Sequence, residues 1–586
     1  SSLVTIKGNF MKKWLFRALL VIIGLFTIVY NRRKQTARRI LRLSPMRYRV
    51  TIIKNIQIPT TDGIFLVADH YAPRTDGDFP TILVRTPYGR NHLNSNFGWY
   101  MEFIGNRFAE RGYHVLLQDV RGRFESGGQF SPYFAERTDA EDTIGWLESQ
   151  SWFNGTLGLW GGSYLGIVQW VIAPHHPAIK AIVPGITSSD LYPILYPDGA
   201  LDLGLAMRWM AVFDELDKLK GKPLIYSATF WHKVERKAKK AFDHLPIYED
   251  DTASFDREID YFRLWIDNAD PTTPQWDDMR QPDRLSKMDI PVHLIGGWYD
   301  FFLRGTLRDY EQLRASGKNP YLTIGGGHHF STIASLIELN EGLNWFDVHL
   351  KGQPAPLRQK PVRLYVMGKK EWREYDQFPP PQTTPTAFYL CGDKKLSTTP
   401  PHSDSPDSYV YDPQNPTPYI GGTKFHLWDA GKRNNRQVEK RDDVLVYTTE
   451  PLSESLEVIG FVRLQLYVTT NAPCADFYGR LCDVHPDGKS YNICDGLFRL
   501  SAKEITPQPD GIWCIEVDMW ATAHCFLPNH RLRLQIASGA HPRWARNLCV
   551  DEPFAAATTC QIAHQHIFHD EWHPSALILP IVGDED

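Results

Sequence analysis

Six short apolar runs constrain this chain more than any other feature. They are TILVRTPYG (81–89), YHVLLQDVRG (113–122), LGLWGGS (157–163), IKAIVPG (179–185), IPVHLIGGWYD (290–300) and YLTIGGG (321–327), and several end in Gly, Pro or Asp. A half-exposed strand alternates apolar and polar residues, but these runs are nearly continuous, as in strands buried on both faces. Helical stretches separate them. One is FAERTDAEDTIGWLESQ (134–150), where Ala140, Ile144, Trp146 and Leu147 recur at near-helical spacing. Buried strands alternating with helices predict a parallel sheet.

The chain has 586 residues, more than the ~250–300 that one core can serve. Two composition shifts divide it. Between 186 and 289 the strand rhythm stops, and Trp-containing helical segments replace it: ALDLGLAMRWMAVFDELDKL, FWHKVERKAKKAF and DREIDYFRLWIDN. This predicts a helical cap inserted in the sheet domain. Near 355, prolines cluster in QPAPLRQKP and QFPPPQTTP, and short alternating runs follow, among them VRLYVMG, AFYLCG, VLVYTT, GFVRLQLYVTT, GIWCIEVDMW and HRLRLQIAS. Many short strands without a long helix predict a β-sandwich. The expected division is 1–47 as an N-terminal segment, 48–185 with 290–355 as the sheet domain, 186–289 as the cap and 356–586 as the β domain.

Residues 14–30, WLFRALLVIIGLFTIVY, are apolar except for Arg17 and Thr27. That length suits a signal-peptide core or a short membrane anchor. No small-x-small cleavage site follows, so an uncleaved single anchor is expected, with a secreted or periplasmic protein as the alternative. Lys7, Lys12 and Lys13 precede the run, whereas Arg32, Arg33, Lys34, Arg38, Arg39 and Arg42 follow it. The positive-inside rule then puts the body on the cytoplasmic side, and a signal-peptide reading puts it outside. The side stays open.

Net charge is −4, and no basic stripe with interleaved aromatics occurs in the folded part, so nucleic acid is not an expected partner. All eight cysteines lie after position 390 and none forms a CxxC pair, so no zinc site is expected and free thiols are the default.

LGLWGGSYLG (157–166) places a serine where a strand stops and a helix starts. On such a sharp turn Ser163 projects its hydroxyl away from the sheet, as in the nucleophile elbow, and the N–H groups of the new helix face an oxyanion. The order required of its partners is Ser, then Asp or Glu, then His, at strand ends. Asp300 ends IPVHLIGGWYD, and His329 follows YLTIGGGH. His329 is preferred to His328 as the base, with Asp300 orienting it. His293 and His114 sit mid-strand and are expected to be structural.

With these residues in view, the chain resembles the cocaine esterase and X-Pro dipeptidyl-peptidase (S15) family, the CocE/NonD hydrolases, over about residues 50–580. The motifs are VRTPYGR at 85–90 and its flank, QDVRGRFESGG at 118–128, DAEDTIGWLESQSWFNGTLGLWGGSYLGIVQW at 139–170, GGWYD at 296–300, ADFYGRLCDVHPDGKS at 475–490 and HRLRLQIASGAHPRWARN at 530–547. The resemblance implies an α/β-hydrolase domain with an inserted helical cap and a C-terminal jelly roll that walls the site. It also implies Ser163, Asp300 and His329 as the triad, with the Tyr88 hydroxyl and the Tyr164 N–H as the oxyanion hole. Where the family has G-P-W-x-H, this chain has Gly325-Gly326-Gly327-His328-His329, which predicts a more open wall.

The family spans ester hydrolases, proline-specific peptidases and β-lactam acylases. Its α-amino acid ester branch places two carboxylates after the triad aspartate, but here Phe301 and Phe302 follow. An ammonium buried there would lack a partner. The expectation is therefore a carboxylic-ester hydrolase for apolar or aromatic acyl groups, held by Phe302, Trp209 and Trp231. An X-Pro peptidase or amide acylase is the runner-up. It needs an amine site, for which Asp190, Asp198, Asp202 and Glu215 are the candidates. An inactive binding protein is the remote alternative. The chemistry requires no metal or organic cofactor, and the partner is a small ester or amide.

Overall fold

A computed structural model describes residues 43–583 except 221, 223, 281–284 and 403–404. The expected anchor at 14–30 lies outside the described residues, among which no helix is long and apolar enough to cross a membrane.

Ten strands form the first sheet: β1 (Val50–Pro59), β2 (Phe65–Pro73), β3 (Thr81–Thr86), β4 (His114–Asp119), β5 (Leu157–Gly162), β6 (Ile179–Gly185), β7 (His293–Tyr299), β8 (Tyr321–His328), β9 (Val362–Val366) and β10 (Glu371–Tyr375). Their order is β1-β2-β4-β3-β5-β6-β7-β8-β9-β10. From β4 across to β9 the neighbours are parallel, and β1, β2 and β10 add antiparallel margins. Every residue of β3, β4 and β7 is buried, as continuous apolar spelling requires between two helical layers. The predicted helix at 134–150 forms over Glu136–Glu148; it buries Ala140, Ile144 and Leu147 and leaves Trp146 half-buried.

Between β6 and β7 the chain leaves the sheet as helices at Leu203–Leu219, Phe230–Phe242, Asp250–Phe255 and Asp260–Asp267. The first is buried on nearly every side through Phe213. A helix apolar all round must be enclosed, and the sheet's upper edge and its neighbours enclose this one.

The VRLYVMG run departs from expectation. Its spelling predicts a β-sandwich strand, yet it forms β9 and pairs in parallel with β8, through Leu322–Val362, Thr323–Arg363 and Ile324–Leu364. Its burial alternates because it lies near the sheet margin, and alternation alone does not distinguish a marginal parallel strand from a sandwich strand.

Strands from Thr383 to Val582 build an all-β domain. Its longest strand, Leu456–Thr470, pairs with three others and carries a register shift between Phe461 and Arg463. A bent strand shared in this way lets a sandwich turn its corner. The domain joins the first sheet closely: Met367 N–H donates to Ala523 O at 2.9 Å, and Cys525 N–H to Met367 O at 2.8 Å. One apolar core runs through both domains. All eight cysteines are free thiols, four of them buried.

Candidate active site

Ser163 follows β5 directly and has φ 59° and ψ −127°. Positive φ is strained for a residue with a Cβ and costs about 1–3 kcal/mol. The surroundings enforce it. Ser163 N–H donates to Gly185 O at 2.9 Å, and the Tyr164–Ile172 helix starts at the next residue. Gly161 has φ +137°, and a Cβ there would lie 2.5 Å from Leu165 Cβ. At Gly166 a Cβ would come within 2.6 Å of Thr187. The glycine three residues after the serine is thus fixed by close packing on the β6–β7 connection.

Two further strand ends complete the arrangement. His329 Nε2 lies 3.1 Å from Ser163 Oγ, and its Nδ1 lies 2.9 Å from Asp300 Oδ2. Asp300 is wholly buried, and its other oxygen accepts the Phe302 N–H at 2.8 Å. An ionised carboxylate only accepts, so Nδ1 carries the proton and the Nε2 lone pair faces the serine hydroxyl. His328 does not join this chain: its Nδ1 accepts the Phe330 N–H at 3.4 Å, and burial holds its imidazole below the usual value. His293 is buried in β7 on Thr323 Oγ1 at 3.0 Å, and His114 is buried against His70 at 2.9 Å, both as structural residues.

The Tyr88 hydroxyl lies beside Ser163, which stabilises its ionised form. It also accepts from Trp209 Nε1 at 3.4 Å. Burial pushes its phenol up, so it stays a neutral donor. Tyr164 contributes differently. Its phenol donates to Glu136 Oε1 at 2.5 Å, and Glu136 is paired with Arg85 at 2.9 Å. This pins the side chain, while the backbone N–H, at the first helical position, has no intrahelical acceptor.

Beside Ser163 lies a cavity whose other walls are Tyr133, Leu191, Ile194, Leu195, Leu205, Ala206, Trp209, Trp265, Phe301 and Phe302. No charged side chain lines it. Phe302 and Trp209, both expected, are there. Trp231 is not. It packs instead on Phe330 at 4.8 Å and Phe425 at 6.4 Å, two rings that themselves neighbour His329. No residue of the Phe230–Phe242 helix that carries Trp231 lines the cavity. Phe425, from the β domain, sits 5.8 Å from both His329 and Phe301. The β domain thus supplies an aromatic ring beside the histidine.

Tyr133, Trp265 and Phe425 were not singled out from the sequence. Trp265 recurs at helical spacing in DREIDYFRLWIDN. Tyr133 reaches the cavity through a positive φ of 79°, which no local spelling announces. Phe425 follows the Gly421-Gly422 pair, both at positive φ, a turn signal that could have marked the loop though not its target.

The four carboxylates proposed as amine sites are engaged elsewhere. Asp190 faces Arg280 and Arg308 at 3.5 and 3.7 Å. Asp198 holds Arg304 at 2.5 Å, and Asp202 holds Arg543 at 3.2 Å while capping the Leu203–Leu219 helix. Glu215 pairs with Lys237. None lines the cavity.

A strained serine at a strand-to-helix elbow, in line with a histidine and a buried aspartate, defines a serine hydrolase of α/β-hydrolase architecture. The sequence profile of the X-Pro dipeptidyl-peptidase S15 family matches residues 62–331, and that of the X-Pro dipeptidyl-peptidase C-terminal non-catalytic domain matches 357–578. Cocaine esterase of Rhodococcus sp. (strain MB1 Bresler) is 32% identical over 576 residues, covering 91% of this chain and 99% of its own. The chain therefore belongs to the cocaine esterase and X-Pro dipeptidyl-peptidase (S15) family. A putative serine esterase of Mycobacterium bovis is 24% identical over 92% of this chain and 96% of its own. Two solved structures share the fold at a TM-score of 0.76. One is an aminopeptidase from a marine sediment Thaumarchaeota archaeon (23% identity, 92% of this chain, 97% of that one). The other is an α-amino acid ester hydrolase (22% identity, 91% and 96%).

Proposed function

We propose that this serine hydrolase cleaves carboxylic esters with apolar or aromatic acyl groups through a Ser163 acyl-enzyme. Ser163 Oγ attacks the carbonyl as His329 Nε2 takes its proton, and Asp300 stabilises the imidazolium. The Tyr88 hydroxyl and the Tyr164 N–H receive the developing oxyanion. His329 then protonates the departing alcohol, and a water repeats the sequence on the acyl-enzyme. The uncharged cavity beside Ser163 carries the substrate assignment: it accepts apolar carbon and offers no carboxylate to an ammonium. The sequence likeness to a cocaine esterase and to a putative serine esterase agrees with an ester substrate.

The S15 profile favours a second reading, cleavage of X-Pro amides, which uses the same acyl-enzyme. It requires an anion for the substrate amine, and the four candidates are already paired. The test sets p-nitrophenyl butyrate against an X-Pro p-nitroanilide with a free amine, in wild type and Ser163→Ala. Ester turnover lost in the variant, without anilide cleavage, supports the ester reading. Efficient Ser163-dependent anilide cleavage replaces it with the peptidase.

A further inference from the structure

We propose that the β domain carries a divalent transition-metal site formed by Asp483, His485 and His530. Zinc(II), or an ion of similar chemistry, is the ligand. The site lies outside the hydrolytic machinery and is independent of the function proposed above.

Topology brings the three residues together. Asp483 is the penultimate residue of the Cys474–Val484 strand, and His485 follows that strand directly. His530 precedes the Arg531–Ala537 strand, which pairs with the first antiparallel so that Val484 faces Arg531. One donor atom from each residue lies within 4.8 Å of the others. His530 Nδ1 is 2.7 Å from Asp483 Oδ1, and His485 Nε2 is 3.5 Å from Asp483 Oδ2. The two imidazole rings are 4.4 Å apart.

The chemistry of this donor set is selective. Two imidazole nitrogens and one carboxylate oxygen suit zinc, cobalt, nickel or copper(II), whereas calcium and magnesium prefer all-oxygen shells. Ligand bonds of about 2.0–2.2 Å in a tetrahedron hold donor atoms roughly 3.4 Å apart. The His485 spacing already matches that, and the His530 pair must open by well under 1 Å. In the process His530 Nδ1 gives up its contact with Asp483 to the metal, and the neutral ring carries its one proton on Nε2.

Two features go beyond what a buried carboxylate needs for itself. His485 Nε2 is buried and makes no hydrogen bond, because 3.5 Å is too long for one. It is a donor atom held at the cluster without a partner. His524, from a third strand, approaches from behind with Nε2 3.1 Å from Asp483 Oδ2. It is placed as the outer hydrogen-bond donor that orients a ligating carboxylate. The His485 side chain as a whole is 31% exposed, and a small solvent-derived ligand is assigned to the fourth metal position. The Lys432 ammonium lies 4.4 Å over the Tyr491 ring, which packs on His485, and it favours an anionic fourth ligand. The cysteines, the only metal donors weighed from the sequence, take no part.

The whole chain, stripped with EDTA and desalted, is titrated with cobalt(II) while visible absorption and binding heat are followed. The expected result is one equivalent bound with the absorption of a four- or five-coordinate ion, displaced by zinc(II). His485→Ala and His485→Gln should weaken binding at least about tenfold, with unfolding temperatures in EDTA near that of wild type. Ester turnover in EDTA should persist, so failure of the metal site and failure of the esterase reading are read separately. No saturable binding, or binding that both variants leave unchanged, overturns the proposal and leaves His530 and His524 as hydrogen-bond partners of one buried carboxylate.

Discussion

The Ser163–His329–Asp300 chain and the cavity beside it are held by different means. In the first, each side chain stands at the end of a parallel strand or at the turn just after it, and each polar atom has an assigned partner. The second is almost wholly apolar, and most of its walls come from the segment inserted between β6 and β7. The chain fixes distances to tenths of an ångström, whereas the cavity fixes volume and polarity. Chemistry and selectivity therefore rest on separable parts, and each should fail in its own way.

The largest effect belongs to the chain. Ser163→Ala is expected to lower kcat on p-nitrophenyl butyrate by roughly 10⁴–10⁶-fold while KM changes little. A loss below tenfold would mean another residue forms the acyl-enzyme. Next is Tyr88→Phe, which removes the proposed oxyanion donor and keeps the ring against Phe213. A fall of about 10²–10³ in kcat is expected. An equal rise in KM instead would make Tyr88 a cavity wall and blur the comparison.

The cavity should respond in selectivity. Ala206→Phe fills it from the Leu203–Leu219 helix. The ratio of kcat/KM for butyrate over acetate should fall about 10–200-fold, with acetate turnover kept near wild type. Equal losses on both esters would show that the cavity wall also holds the triad in place.

How much of this was legible in the sequence follows the same division. Ser163, Asp300 and His329 are spelled locally: a glycine-flanked turn, and two strand ends in the required order. Gly166 became intelligible only with Thr187 in view, because the close approach crosses from one segment to another. The cavity depends on how inserted helices rotate, and a sequence gives their amphipathic period but not their docking. Trp209 and Trp231 are alike as tryptophans of the insertion, yet one lines the cavity and the other packs on Phe330 and Phe425. Likewise β9 read as a sandwich strand, since its alternating burial comes from a sheet margin that only the assembled fold reveals.

The smallest expected effect on turnover concerns a carboxyl that belongs to neither part. Glu338 lies against Gly162 and Gly185 at the back of the elbow. Asp300 and Glu338 are both buried, but Asp300 accepts two hydrogen bonds, whereas Oε1 of Glu338 has no partner. Burial pushes the Glu338 carboxyl up to about 8, against about 4.3 in an unfolded chain. Between these values the folded protein keeps a proton that the unfolded chain has released. The stability this group contributes is therefore full below about pH 4.3 and is lost as pH rises toward 8, at about 1.4 kcal/mol per pH unit. Glu338→Gln mimics the neutral acid at every pH. Its urea midpoint should fall less steeply than that of wild type from pH 5 to 8, so that the variant is the more stable protein at pH 8. Turnover at pH 6 should stay within a few-fold, because no atom of Glu338 touches the hydrogen-bonded chain. If both proteins lose stability at the same slope, the carboxyl is ionised in the fold and the rear of the elbow is wetter than its packing implies.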